Sequence, residues 1–271
     1  MRPITYSRAT DTAGAIATVQ SDPTSDYLAG GTTEIDLLRQ NVLTPRRLVD
    51  INDLPLTGVE EAPDGGLRIG ALARMSEVAS SSLVRERFPV ISQALESGAS
   101  PQLRHMASMG GNLLQRVRCS YFRDAASPCN KREPGTGCSA IDGFSRGHAV
   151  LGTSDDCIAT HPSDVAVALA ALDARVHTRS SRGEQVYGTE EFFLTPGHTP
   201  HREHPLEHGE LITAIEVPSA PVARHSLYLK VRDRESYEFA LVSVAGALSL
   251  MDGTIADVRL ALGGVGTKPW R

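Results

Sequence analysis

The spacing of apolar side chains divides the chain into helical and extended segments. Apolar positions at helical spacing predict helices over residues 11–20, 34–40, 75–80, 89–97 and 163–173. Short alternating or continuous apolar runs predict strands or strand-rich segments over residues 27–29, 48–51, 67–71, 175–178, 211–217, 226–231, 240–250 and 258–262. Turn formers cluster over residues 55–66, which indicates a subdomain boundary near residue 57.

One long segment shows almost no periodicity. From Gly110 to Gly152 the sequence is rich in turn formers and holds three of the four cysteines. Structureless connections of this length are uncommon inside a compact domain. We therefore expect a ligand to keep this segment ordered.

Composition narrows the class of protein. The chain has 271 residues, which predicts two or three lobes, and its 41% apolar content excludes a disordered or collagen-like chain. The net charge of −5 argues against nucleic acid as a partner. The longest apolar run, residues 165–172, is far too short for a membrane span, so we expect no membrane partner either.

Two glycine pairs are candidate ligand loops. The first is LAGGTTEI, residues 28–35, in which Thr32 or Thr33 is placed to cap the following helix; the second is MGGNLL, residues 109–114. Glycine lets a backbone approach a ligand closely, and clustered backbone N–H groups bind anions. Either pair alone is more often a simple tight turn. Together they are compatible with one extended ligand that carries a pyrophosphate.

The four cysteines form the second candidate site. Cys119, Cys129, Cys138 and Cys157 fall within 39 residues and follow the spacing C-x9-C-x8-C-x18-C. Four thiolates can hold zinc or a [4Fe–4S] cluster, and the lack of a C-x2-C pair disfavours zinc. Disulfides and buried free thiols stay open. Residues 104–132 carry six basic side chains against one acidic side chain, which indicates an anionic ligand.

The glycine loops resemble the two flavin-binding loops of the FAD subunit in the xanthine dehydrogenase and molybdenum hydroxylase family. Further matches are PSD at residues 162–164, ELITAIEV at 210–217 and YLKVRDRESYEFALVSVAGAL around Lys230. The resemblance implies an α+β fold of the vanillyl-alcohol-oxidase (PCMH) type, with FAD between subdomains at residues 1–57 and 58–220. It also implies a C-terminal α+β domain over residues 224–271, which we expect to be truncated.

The resemblance also implies site residues for FAD. The pyrophosphate would be wrapped by Leu28, Ala29, Gly30, Gly31, Thr32, Thr33, Glu34 and Ile35. The second loop would comprise Ser108, Gly110, Gly111, Asn112 and Leu113. Asp164 would reach the adenosine part, and Ile212 and Lys230 would lie near the isoalloxazine. Without the resemblance, Lys230 would be read as an ordinary lysine at a strand edge.

The cysteine segment, residues 110–160, narrows the resemblance. RCSYFRD, PCNKREPGTGCSAI and DDCIATHPSD resemble the FAD subunit of bacterial molybdenum aldehyde oxidoreductases of the periplasmic type, whose FAD subunit carries an extra [4Fe–4S] cluster. This resemblance implies that Cys119, Cys129, Cys138 and Cys157 ligate that cluster, as a staple or as a relay. It also implies an oxidoreductase subunit with no catalytic side chain of its own.

The same resemblance implies the partners. They are a large molybdenum-cofactor subunit, a small subunit with two [2Fe–2S] clusters that supply electrons, and an external electron acceptor. The lack of a signal peptide predicts a cytoplasmic chain, or a periplasmic one if a partner carries a twin-arginine signal.

A second hypothesis is a zinc-stabilised binding or scaffold protein without flavin, in which both glycine pairs are simple turns. Four histidines, at positions 198, 201, 204 and 208, crowd one segment and could suggest a metal site. The neighbouring Pro, Glu and Gly residues instead favour a solvent-exposed loop.

Overall fold

Three separate β-sheets organise residues 2–271, the part of the chain that the computed structural model describes. The strands are β1 Thr5–Arg8, β2 Ser25–Leu28, β3 Arg47–Asp50, β4 Val59–Glu61, β5 Leu67–Gly70, β6 Arg175–Ser180, β7 Gly183–Gly188, β8 Leu211–Val217, β9 Ser226–Val231, β10 Val242–Met251 and β11 Thr254–Gly263. The helices are α1 Thr12–Gln20, α2 Glu34–Arg39, α3 Met75–Ser80, α4 Ser82–Arg87, α5 Pro89–Ser97, α6 Pro101–Met106, α7 Met109–Leu113, α8 Ser120–Arg123, α9 Asp164–Ala171 and α10 Thr189–Phe192, with a 3-10 turn at Pro221–Arg224.

The N-terminal sheet is parallel, with the order β1-β3-β2. Parallel neighbours need crossover connections, and α1 and α2 provide them. The side chain of Asp11 caps α1 by accepting a hydrogen bond from the backbone N–H of Gly14 at 2.8 Å. Ile16 and Val19 of α1 pack against Val49 and Ile51 in a small separate core. This layer carries the first glycine pair between β2 and α2.

The central sheet has five antiparallel strands in the order β4-β5-β8-β6-β7. β8 pairs with both β5 and β6, and its apolar positions are buried together with helices α5 and α9. Residues 165–171 of α9 are all buried, because this helix is apolar around its whole circumference. Ser163 caps α9 by accepting from the N–H of Ala166 at 3.1 Å.

The C-terminal sheet is antiparallel, with the order β11-β10-β9. One face is buried in the main core with α5 and α9 through Tyr228, Ala245, Ala247 and Ala261. The opposite face exposes a row of apolar side chains: Leu227, Leu229, Val231, Leu248, Val258 and Leu260. No helix within residues 2–271 has the length and apolar content needed to cross a bilayer.

Several predicted elements are confirmed at both ends, namely the helices over 75–80 and 89–97 and the strands over 211–217 and 226–231. Thr33 is the N-cap residue of α2, but it makes no side-chain capping bond because its backbone is already helical, with φ −105° and ψ −44°. The second glycine pair lies in helix α7 rather than in a loop. The three sheets fall within residues 5–50, 59–217 and 226–263, while the domain boundaries themselves stay predictions.

Candidate functional site

Both glycine segments line one cavity of about 750 Å³. Its wall includes residues from all three sheets and the helices between them. Every residue that the resemblance assigned to FAD lines this cavity except Leu28, Ile35 and Leu113. The structure therefore brings together residues 29–34, 108, 110–112, 164, 212 and 230, which are far apart in the sequence.

The first glycine pair combines conformational need with close packing. Gly31 has φ +71°, in the left-handed region that favours glycine. A β-carbon on Gly30 would overlap the carbonyl of Met106, at the end of α6. Gly30 is thus required for the contact between two walls of the cavity, whether or not a phosphate lies beside it.

The second glycine pair serves mainly packing. The hydroxyl of Ser108 caps α7 by accepting from the N–H of Gly111 at 3.3 Å. The N–H of Gly110 donates to the carbonyl of Ala71 at 2.7 Å, so it is not available to an anion. Asn112 accepts a hydrogen bond from the hydroxyl of Ser163 at 2.6 Å, which joins α7 to the start of α9. The expected anion-binding loop is therefore a short helix that lines the cavity.

A buried ion pair lies in the wall formed by α9 and β9. Lys230 Nζ is 2.8 Å from Asp164 Oδ2, and the two side chains are 4% and 10% exposed. Lys230 also donates to the carbonyl of Ser97 at 3.1 Å, and the hydroxyl of Tyr228 donates to Asp164 Oδ1 at 2.6 Å. Lys230 is thus no ordinary strand-edge lysine. The contact also places Asp164 and Lys230 at one point of the cavity, whereas the resemblance assigned them to different ends of FAD.

Glu34 brings an acidic group into the cavity wall. Burial, with the nearby carboxylate of Asp26, raises its pKa to about 7, and the Arg116 cation opposes this shift. Its Oε1 atom is buried without a hydrogen-bond partner in the protein. Burial also raises the pKa of Asp26. Near neutral pH a large fraction of Glu34 is therefore protonated and able to donate a hydrogen bond.

The basic run at residues 104–132 is visible in the sequence, but the acidic partners of its side chains are not. Arg116 and Arg118 line the cavity wall. Arg116 pairs with Glu203, and Arg123 NH1 lies 2.5 Å from Asp36 Oδ2. Acidic residues from distant segments thus neutralise part of the positive charge that indicated an anionic ligand. The only sequence signal for these pairs was the excess charge.

All four cysteines line a second, much smaller cavity. Their thiols are free, so the disulfide alternative is wrong in this structure, and Cys129 lies opposite Cys138 in an isolated antiparallel bridge. Burial raises the pKa of Cys119 and of Cys157, which favours the neutral thiol. Across residues 2–271, no three Cys, His, Asp or Glu side chains form a group that could hold a metal ion. Four thiols around one cavity suit the donor chemistry of an iron–sulfur cluster, although they do not form a group that could hold a single metal ion.

Two histidines depart from the sequence interpretation. His148, which was not singled out, has its Nε2 atom 3.2 Å from Cys119 Sγ. His204 is half-buried and stacks on Phe192, with the ring centres 6.0 Å apart. His198, His201 and His208 are exposed, so the prediction of a solvent-exposed loop is correct for these three, whereas His204 packs against the protein.

Comparison with known proteins gives consistent matches along the whole chain. The family profile described as "FAD binding domain in molybdopterin dehydrogenase" matches residues 2–220, and "CO dehydrogenase flavoprotein C-terminal domain" matches residues 227–271. The chain is 50% identical over 272 residues to the aldehyde oxidoreductase FAD-binding subunit PaoB of Escherichia coli K12, covering all of this chain and 84% of that protein.

More distant relatives also match almost the whole of this chain. The glyceraldehyde dehydrogenase medium chain of Sulfolobus acidocaldarius is 29% identical and is covered over 77% of its length. A solved structure, reconstituted CO dehydrogenase from Oligotropha carboxidovorans, superposes with a TM-score of 0.75 at 22% identity, over 100% of this chain and 78% of that one. Because the sequence identity of this pair is low, the structural match supports the fold alone.

Proposed function

The chain is an FAD-binding subunit of the molybdenum hydroxylase family, and on that premise we propose that it binds FAD in the cavity between its two glycine segments. It is therefore an oxidoreductase subunit, and the alternative of a scaffold protein without flavin is wrong. The observation that carries the proposal is the convergence of residues 29–34, 108, 110–112 and Lys230 on one cavity. Its volume of about 750 Å³ lies within the range of about 300–1,000 Å³ typical of cofactor sites.

The residues present fit a dinucleotide. Gly31 and the threonines that follow it line the wall with little side-chain bulk, which suits a pyrophosphate. Asp164, Ile212 and Lys230 also line the cavity. We place all three at the isoalloxazine end, because the ion pair holds Asp164 beside Lys230. This assignment replaces the placement of Asp164 at the adenosine.

The chain's own residues position the cofactor and set its electrostatic surroundings. When bound, FAD accepts an electron pair and passes it to an acceptor. Lys230 is held by Asp164 and the carbonyl of Ser97, so its positive charge is fixed before the cofactor arrives. Ile212 is buried and keeps that part of the wall apolar. Protonated Glu34 supplies a hydrogen-bond donor without adding negative charge.

We place the chain in a complex of the aldehyde oxidoreductase type. The 50% identity with the E. coli FAD-binding subunit supports this choice over a xanthine or carbon monoxide dehydrogenase. In this proposal a large molybdenum-cofactor subunit oxidises the organic substrate, and a small subunit with two [2Fe–2S] clusters supplies electrons. The FAD of this chain then reduces an external acceptor.

We also propose that Cys119, Cys129, Cys138 and Cys157 hold a [4Fe–4S] cluster. Support comes from their convergence on one cavity and from the positive charge of Lys131, which lowers the pKa of Cys157 against the effect of burial. Iron and zinc analysis of anaerobically purified Cys129→Ala and wild-type chains tests this. Four irons per wild-type chain and loss of iron in the variant support the cluster; zinc or no metal in the wild type overturns it.

Reconstitution tests the flavin site itself. We expect the deflavinated chain to bind FAD stoichiometrically, with recovery of the visible flavin bands. Lys230→Met should weaken FAD binding at least tenfold, whereas Lys268→Met, at a half-buried lysine that does not line the cavity, should leave the FAD dissociation constant unchanged. A wild-type chain that takes up no FAD, or equal affinity in both variants, would reject the site.

A further inference from the structure

A cluster of three charged side chains, one buried and two half-buried, lies between the flavin cavity and the cysteine cavity. Glu203, in the segment after α10, pairs with both Arg116 and Lys131. Lys131 Nζ lies 3.2 Å from Glu203 Oε1 and donates to the carbonyl of Pro200 at 2.8 Å. The side chain of Lys131 is only 8% exposed, which is unusual because lysines are almost never fully buried unless they are paired. The segment that carries Glu203 was expected to be a solvent-exposed loop.

The two cations belong to different cavity walls. Arg116 lines the flavin cavity, where it is close enough to Glu34 to oppose the shift in its pKa. Lys131 lines the cysteine cavity, two residues after Cys129. Phe122 lines the cysteine cavity too, and the guanidinium of Arg116 lies 4.8 Å from the centre of its ring. Glu203 therefore touches one cation from each wall.

Removing the carboxylate would leave the buried ammonium of Lys131 and the half-buried guanidinium of Arg116 without the anion that they share. Burial raises the pKa of Glu203, but the positive charges of Arg116 and Lys131 stabilise its ionised form. The pKa of Glu203 therefore lies below its usual value. Loss of one member of a buried ionic group is costly, since the remaining charges are left without compensation. Arg116 and Lys131 would then move toward water or other acceptors.

We propose that Glu203 is a positioning residue that holds Arg116 in the wall of the flavin cavity and, through Lys131, ties the cysteine segment to that wall. The inference rests on the FAD site proposed above. Because binding couplings are reciprocal, FAD binding then stabilises the backbone around Cys129 and Cys138, and order in that segment favours FAD. Glu203, Arg116 and Lys131 neither donate nor accept electrons.

Glu203→Gln in the full chain tests this with two readouts. FAD titration of the deflavinated protein gives the dissociation constant, and hydrogen–deuterium exchange over residues 128–140 reports the cysteine segment. In the wild type, FAD should slow exchange over 128–140. Glu203→Gln should raise the dissociation constant about tenfold and abolish that FAD-dependent protection. Glu203→Asp, which keeps the charge, should recover part of both effects.

Lys131→Met separates the two halves of the proposal, since it leaves the Arg116–Glu203 pair in place. The FAD dissociation constant should stay within about threefold of the wild-type value, while FAD-dependent protection of 128–140 is lost. Glu207→Gln is the matched control, because Glu207 lies on the same segment and pairs with Arg182 on the surface. It should behave as wild type.

The outcomes are distinguishable. Normal FAD affinity and normal protection in Glu203→Gln overturn the positioning role. If Glu203→Gln fails to fold, FAD-dependent protection retained in Lys131→Met overturns the link, and its loss supports the link. A wild-type chain that binds no FAD would instead reject the proposed function.

Discussion

The flavin cavity and the cysteine segment are stabilised by different physical means. The cavity is built on sheets and helices that form the main hydrophobic core and a smaller core under the N-terminal sheet, and its wall contains the buried ion pair of Asp164 with Lys230. The cysteine segment has only the short helices α7 and α8 between residues 109 and 163. Side-chain to backbone bonds shape it, as where Asn130 Oδ1 accepts from the N–H groups of Gly135 and Gly137 at 3.1 and 2.8 Å.

The two sites of this chain are therefore preformed to different extents. Burial of apolar area gives the cavity its shape independently of a ligand. Each side-chain to backbone bond contributes only about 1 kcal/mol, and the apolar cluster of this segment, around Phe122, Cys129 and Cys157, is small, so we expect the cysteine segment to unfold locally at lower free energy. Changes in the cavity wall should therefore affect global stability, and changes in the cysteine segment should act locally.

The largest effect is expected from Lys230→Met, which leaves Asp164 buried without its cation. Breaking a buried ion pair on one side costs about 3–5 kcal/mol of unfolding free energy. Urea unfolding followed by circular dichroism measures this, with Lys268→Met as the control. A loss below about 1 kcal/mol would contradict the expectation that the cavity wall depends on this ion pair for its stability.

Gly30→Ala is expected to rank second. The new methyl group would overlap the carbonyl of Met106, so the two walls must separate, at a cost of up to about 3 kcal/mol. Gly58→Ala is the control, because a β-carbon there meets nothing within 4 Å. Thermal unfolding compares the two variants. Equal melting temperatures would mean that the first glycine pair matters only for the ligand.

Arg132→Met should act locally in the cysteine segment. Arg132 donates to the carbonyls of Tyr121 and Phe122, both at 2.8 Å. Its loss should speed hydrogen exchange over residues 120–133 about tenfold, with little change over the β8 strand. The exposed Arg179→Met serves as control. An equal rise of exchange in β8 would contradict the division into a global and a local region.

The smallest effect concerns pH in the cavity. The pKa of Glu34 is raised to about 7 from an ordinary value of 4.5, so its protonated form stabilises the fold below about pH 4.5, and that contribution is lost as pH rises through about 7. Above this range the carboxylate also repels a pyrophosphate. FAD affinity should fall severalfold from about pH 6 to about pH 8, and Glu34→Gln should remove that dependence. A wild-type affinity that does not change with pH would contradict it.

The strongly periodic elements could be predicted from the sequence, because helices α3 and α5 and strands β8 and β9 carry apolar residues at regular spacing. The helix at the second glycine pair could not, since glycine disfavours helix and only Ser108 capping and the contact with Ala71 stabilise it there. The role of Glu203 was also hidden. Nothing local distinguishes a half-buried, doubly paired glutamate in a Pro- and His-bearing segment from an exposed one.

The sequence by itself determined the chemical inventory: two glycine pairs, a lysine in a late strand, four clustered cysteines and the family to which they point. Only the tertiary structure decided which of these meet. It joined Asp164 to Lys230, used the N–H of Gly110 for packing and placed Glu203 between the two cavities. The reason is that periodicity records local burial, whereas ion pairs and cavities depend on which distant segments the core brings together.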